Sequence, residues 1–214
     1  MTTHLVIPDG HAKPGEDLSR FDLLNKFIKS LRPEVIINLG DAGDMHSLNS
    51  FDKGFDGTSY EADIDCTIES FDRTLHNIKY KPKRKVFLVG NHEHRITRTV
   101  EQSPELAGDK HGVSMKHLQL DKYFSDVVDY EGAAPGTIML DGINYAHYST
   151  HVDGAGRRLH GLVAGSFKGK KNDAYAGTSA RNYWRGVVVK RMVSNGSYDL
   201  QMVSMAQLEE TYNK

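Results

Sequence analysis

Four short blocks in this chain carry the residue types from which divalent-ion sites are built. They are Asp9-Gly10-His11, Gly40-Asp41-Ala42-Gly43-Asp44, Gly90-Asn91-His92-Glu93 and, alone, His147. Carboxylate, imidazole and amide oxygen are hard-to-borderline ligands, suited to ions such as manganese, iron or zinc. A carboxylate that bridges two ions about 4 Å apart is the basis of two-metal phosphoryl chemistry. Any one block, taken alone, reads equally well as a strand-to-loop turn whose polar residues face water. A shared site requires that several strands end in the same way.

The stretch Lys85 to Arg95 reads K-V-F-L-V-G-N-H-E-H-R. Val86 to Val89 is a short apolar run closed by Gly90, the pattern of a strand buried on both faces. Open α/β sheets keep their chemistry at the carboxyl ends of such strands. Two earlier runs behave alike. His4 to Pro8 is a short strand ending in Asp9-Gly10-His11, and Val35 to Leu39 ends in the Gly40 to Asp44 block. Between them, Phe21, Leu23, Leu24, Phe27, Ile28 and Leu31 follow a helical spacing over Arg20 to Leu31, with Pro33 as a stop. Strand, helix, strand in this order predicts a parallel pair with a crossover helix, and an α/β fold.

Met45 to Tyr60 reads as a polar surface loop, and Glu61 to Asn77 as a second helix. Ile96 to Leu120 is mostly helical and polar, interrupted by Pro104 and Gly108. Val127-Val128 and Ile138 to Leu140 predict strands. Asp141-Gly142 is a hairpin turn, and the returning strand Ile143 to Ala146 delivers His147. Leu159 to Ser166, Gly186 to Met192 and Tyr198 to Val203 read as further strands, with Asn195-Gly196 as another hairpin turn and Met205 to Tyr212 as a last helix.

The totals narrow the field. With 27 Lys and Arg against 28 Asp and Glu, bulk charge gives no reason to expect general affinity for nucleic acid or membranes. The basic run from Lys79 to Lys85 is best read as a solvated strand entry. A single Cys66 excludes an intrachain disulfide and fits a reducing compartment, and no signal peptide or bilayer-length apolar run is present. A cytoplasmic protein is the expectation. No repeat, linker or low-complexity tract divides residues 1 to 214, so one domain is expected. Eleven histidines raise the prior for metal or proton chemistry.

In their order and strand context, the blocks D-x-H, G-D-x-x-D and G-N-H-E resemble the signature of the calcineurin-like metallophosphoesterases. Leu162 to Gly165 and Trp184 to Val189 are similar to late segments of phage-encoded, exonuclease-like members, for which the compartment would be the host cytoplasm. The resemblance implies a β-sandwich core flanked by helices in four layers, αββα. It implies two divalent ions, Mn2+ foremost, with Fe2+, Zn2+ or Mg2+ as alternatives. Asp9 and His11 would bind the first ion, Asp41 would bridge, and Asn91 and His147 would bind the second. His92 would not be a ligand but would stabilise or protonate the leaving oxygen. Asn91 and Arg95 would lie within reach of the substrate phosphate, Arg95 being as readily part of a structural salt bridge. Asp44 would orient ligands.

One departure stands out. The family's Gly-His-x-His block, both of whose histidines are ligands, has no counterpart here. Sequence is missing around 148 to 156, by natural contraction, by deletion or as a stretch absent from this chain. His151 is the candidate replacement for one lost ligand. The function so implied is hydrolysis of a phosphoester by metal-activated hydroxide, with a phosphodiesterase or nuclease on DNA favoured. A phosphomonoesterase on nucleotides or phosphoproteins is the runner-up, and a binding or assembly subunit that has lost catalysis is a third reading. No membrane partner is expected, and a homo-oligomer stays open.

Overall fold

The computed structural model describes residues 1–49, 58–147, 162–169 and 184–213. In chain order the elements are β1 (Thr2–Ile7), α1 (Ser19–Leu31), β2 (Val35–Asn38), α2 (Tyr60–Leu75), β3 (Arg84–Leu88), α3 (Asn91–Gln102), α4 (Leu120–Tyr123) and β4 (Asp126–Val128). They continue with β5 (Thr137–Leu140), β6 (Ile143–Ala146), β7 (Gly186–Ser194), β8 (Ser197–Ser204) and α5 (Met205–Tyr212). Short 3-10 turns lie at His46–Leu48, Pro104–Leu106 and Met115–Leu118.

The fold is mixed α/β. Six strands form one sheet in the order β4-β3-β2-β1-β7-β8, while β5 and β6 form a separate ribbon. β1 to β4 run parallel, and β7 and β8 are antiparallel to their neighbours. The apolar runs read from the sequence account for this. Leu5 and Ile7 point to one face, where they pack with Phe21, Leu24 and Ile28 of α1 and Leu208 of α5. Phe87 and Val89 continue that face beneath Ile64 and Phe71 of α2 and Ile96 of α3. Val6, Ile37, Val86 and Leu88 point to the opposite face, where Leu140, Ile143 and Tyr145 of the ribbon cover them. Strands covered on both sides are continuous apolar runs for this reason.

The two hairpin turns lie where Asp-Gly and Asn-Gly predict them. Asp141 and Gly142 have φ of 49° and 80°, and Asn195 and Gly196 have φ of 47° and 84°, as a primed two-residue turn requires. The ribbon is pinned to β1 through a polar network centred on the buried His4. The His4 Nε2–H donates to Asp141 Oδ2 at 3.0 Å, which leaves Nδ1 to accept from the Tyr145 hydroxyl at 2.8 Å. Lys190 of β7 is buried beside it, with its Nζ 4.7 Å from the centre of the Tyr145 ring and 4.4 Å from that of Tyr198.

Two expectations need correction. Residues 162–165 form no strand, and Ser166 makes only an isolated bridge with Arg185. Gly165 takes φ of 75° with its backbone against Trp184, which breaks the extended run; 159–161 lie outside the described residues. The third helix begins at Asn91, not at Ile96, so the polar block lies on its first turn. Glu93, three residues beyond Gly90, accepts the Gly90 N–H at 3.0 Å and so caps the helix. No described helix is long and apolar enough to cross a membrane.

Candidate metal centre

β1, β2 and β3 end side by side, and the loops that leave them are laced together. The His11 N–H donates to the Asp41 carbonyl at 2.8 Å and the Ala12 N–H to the Ala42 carbonyl at 2.7 Å. Two glycines permit the approach of the β2 and β3 ends. A Cβ on Gly40, whose φ is 93°, would lie 2.4 Å from the Leu88 carbonyl oxygen, and one on Gly90 would lie 2.2 Å from Asp41 Oδ1. The Asp41 carboxylate thereby sits over the first turn of α3, where Oδ1 accepts the His92 N–H at 2.8 Å. Negative charge is favoured at a helix start.

The other carboxylate oxygen, Asp41 Oδ2, has three imidazole nitrogens close by. His11 Nε2 is 3.4 Å away, His147 Nε2 is 3.5 Å and His92 Nε2 is 3.7 Å. Ligands bound tetrahedrally at roughly 2.1 Å from one ion stand roughly 3.4 Å apart, so these spacings suit donors around a first-row cation. Among the described residues, His11, Asp41 and His92 form a group that could hold a metal ion, with ligand atoms within 4.8 Å of one another. Asn91 Oδ1 adds an oxygen 2.9 Å from His147 Nε2, and Asp9 Oδ1 lies 4.0 Å from His147 Nδ1. His11 and Asp41 hold φ of 43° and 49°, a left-handed conformation that costs about 1–3 kcal/mol per residue and collects at functional sites.

The neighbouring groups fix which nitrogen each histidine presents. The Nδ1–H of His147 donates to the Leu39 carbonyl at 2.7 Å, which turns Nε2 toward the side-chain oxygens of Asn91 and Asp41. A ligating histidine is usually oriented by such a bond from its other nitrogen. His11 Nδ1 is held in the same manner by Asp44 Oδ1 at 3.1 Å. The Nδ1–H of His92 donates to the Asp44 carbonyl at 2.6 Å, and its Nε2 accepts from Arg95 Nη2 at 2.9 Å. Arg95 also donates from Nη1 to the carbonyls of Asp44 and Met45. His92 is thus a neutral imidazole in this arrangement, with a guanidinium at its open nitrogen.

Two buried residues hold the loops themselves. Glu93, fully buried, accepts the N–H groups of Asp41 and Ala42 at 2.8 Å in addition to that of Gly90. Arg20 donates to the carbonyls of Phe167, Asp17, Gly10 and His11 and so clamps the loop carrying Asp9 and His11. The sequence signal for Glu93 was its place three residues after a glycine cap. Arg20 gave no signal, since a polar residue at a helix start looks solvated.

Charge is shared unevenly. Burial opposes ionisation of Asp44, but the hydrogen bond and charge of His11 outweigh it and hold the carboxyl at about 2. Burial likewise opposes ionisation of Asp41, and the three histidines overcome it to keep that group well below the usual carboxylate range. Burial opposes a charged His11, yet its bonds to Asp41 and Asp44 raise it above the ordinary imidazole value. Asp9 is pushed up by burial and then by the Asp41 charge. His92 is pushed down to about 4 by burial, with Asp41 pulling the other way.

The structure therefore brings Asp9, His11, Asp41, Asn91, His92, Arg95 and His147 together at one sheet edge. The group with metal-like spacing includes His92, which sequence reasoning had kept apart from the ligands. Asp44 touches His11 as an orienting group. His151, and the question of missing sequence around 148 to 156, lie outside the described residues. No protein-family model and no curated protein matches this chain.

Proposed function

We propose that this chain is a divalent-metal-dependent phosphoester hydrolase, favouring phosphodiesters of the nucleic-acid kind such as DNA. Its six-stranded sheet and the β5–β6 ribbon would be the two β layers of a metallophosphoesterase-type αββα sandwich. One observation supports the reading: Asp41 Oδ2 lies 3.4 Å from His11 Nε2 and 3.5 Å from His147 Nε2, which itself lies 2.9 Å from Asn91 Oδ1. That is the posture of a carboxylate shared by two cations. Asp9 and His11 would hold one ion and Asn91 and His147 the other, with Asp41 common to both. Mn2+ is the first choice for this oxygen and nitrogen set, and Fe2+, Zn2+ and Mg2+ are alternatives. When bound, such ions neutralise phosphate oxygens and make a water acidic enough to supply a nucleophile near neutral pH.

The chain's own groups would do the rest. Arg95 Nη2, beside His92 Nε2, would donate to a non-bridging phosphate oxygen. His92 Nε2, released as Arg95 turns to the phosphate, would stabilise or protonate the leaving oxygen. The Asp44 carbonyl, accepting from His92 Nδ1–H, keeps the ring aimed during that transfer.

The test is turnover of the purified full chain with each of the four metals and with chelator. The substrates are bis(p-nitrophenyl) phosphate, p-nitrophenyl phosphate and DNA. Metal-dependent hydrolysis of the diesters, lost in chelator, is expected. Faster cleavage of the monoester would move the assignment to a phosphomonoesterase. No turnover with any metal would leave a binding subunit of the same fold.

A further inference from the structure

Beside the metal centre, a groove of about 410 Å³ opens along α3, within the roughly 300–1,000 Å³ range of small-ligand sites. Among the described residues, one wall is the 3-10 turn after β2 with Ser47 and Asn49. The other is the helix face carrying Arg95, Arg98, Thr99 and Gln102. Residues three and four apart share a helix face, so these four form a continuous stripe. The lining offers two guanidinium groups, hydroxyls and amides, and no carboxylate is among its described residues. Leu48 and Leu106 add apolar surface that a sugar or base would cover. A second cavity differs: it is an apolar void of about 20 Å³ in the core, with room for little beyond a water molecule.

Arg95 belongs to both places. It lines the groove, and its guanidinium lies 2.9 Å from His92 Nε2, so this one residue joins the groove to the candidate centre. Arg98 is exposed one helical turn further along. We infer that this groove seats the phosphate backbone of a nucleic-acid strand next to the scissile linkage, Arg95 meeting the reacting phosphate and Arg98 a neighbouring one. The inference rests on the phosphoester-hydrolase reading and deepens it, because a substrate with a second phosphate uses contacts that an isolated phosphoester does not reach. The chain as a whole carries a net charge of −1, so attraction for a polyanion has to be local, and this stripe supplies it. Phosphate contacts of this kind position a strand without reading its bases. DNA and RNA present the same phosphodiester chemistry here.

The experiment measures binding and cleavage separately, on the full chain. Fluorescence anisotropy of labelled ten-nucleotide single strands, one of DNA and one of RNA, is recorded in chelator for wild type, Arg98→Ala, Arg98→Glu and Gln102→Ala. Arg98 is exposed, and thermal melts confirm that each variant is folded. The expected result is binding weakened about tenfold or more by Arg98→Glu, with Arg98→Ala reducing the log–log salt slope by about 0.7. Equal weakening for both strands identifies the backbone as the shared ligand, and weakening of one alone shows that its sugar contributes. With manganese added, the ratio of oligonucleotide to bis(p-nitrophenyl) phosphate turnover should fall at least about fivefold in Arg98→Glu. Unchanged affinity in Arg98→Glu, or equal loss on both substrates, would overturn the groove assignment. If wild type cleaves neither substrate the hydrolase reading fails, and the anisotropy series still decides whether the groove binds a strand.

Discussion

Asp41 is the residue on which the candidate centre depends, since its two oxygens serve different partners. Oδ1 takes the His92 backbone N–H, and Oδ2 faces three imidazoles. Asp41→Asn keeps the shape but removes the charge and replaces one acceptor with a donor. Metal content measured on purified protein should drop to near zero and turnover should fall with it. A variant that retained wild-type metal and activity would remove Asp41 from the centre. His92 poses a sharper question, because its ring lies at ligand distance yet is engaged by Asp44 and Arg95. If it serves the leaving oxygen, His92→Ala should keep metal occupancy while turnover falls about 10²–10⁴-fold. Loss of metal in step with activity would make it a ligand instead.

At the scale of elements, the loop after β2 and the start of α3 act as one unit because Glu93 joins them. Glu93→Ala would leave the buried N–H groups of Gly90, Asp41 and Ala42 without their acceptor, at about 1–3 kcal/mol each. A loss of about 3 kcal/mol or more in urea unfolding is expected, and a midpoint close to wild type would show that the clasp is dispensable. Lys190 gives a pH-dependent test of how the ribbon is docked. Burial lowers it from 10.5 to about 8, so the folded state gives up its proton before the unfolded chain does. Its contribution to stability is therefore complete above the unfolded value and is lost as pH falls through about 8. Between pH 8 and about 9.5 the wild type should gain stability, and Lys190→Met should flatten that rise. Parallel pH curves for the two proteins would mean that Lys190 is solvated.

These same elements show what the sequence made legible. The ends of β1, β2 and β3 could be read because each is a short apolar run closed by a turn residue, a local signal. The Asp141-Gly142 and Asn195-Gly196 turns could be read for the same reason. Residues 162–165 misled, because a run containing Leu162, Val163 and Ala164 has strand composition while Gly165, at φ of 75°, turns the backbone out of the extended path. Phe167 N–H, just beyond, donates to the Asp9 carbonyl at 2.7 Å. Arg20 was invisible because its acceptors at Gly10, His11 and Phe167 lie on segments far apart in the chain. The participation of His92 in the metal-like group was hidden because side-chain direction on the first turn of α3 depends on Gly90 admitting the Asp41 carboxylate.

For the whole molecule, the position of β1 has a consequence for how the chain is made. β1 pairs with β2 on one side, His4 opposite Val35, and with β7 on the other, Thr2 opposite Val193. The first partner follows after a single helix, whereas the second emerges from the ribosome only after every element from α1 to β6. Until then Leu5 and Val6 present an open strand edge, the kind of surface that recruits wrong partners. Every described candidate ligand, from Asp9 to His147, precedes β7. A growing chain would thus own its candidate metal donors before it owns a finished sheet. Ions that bind folded donors favour the folded arrangement by mass action. If the candidate centre takes up metal, ions supplied during synthesis would hold the ends of β1, β2 and β3 in register while β1 waits for its second neighbour.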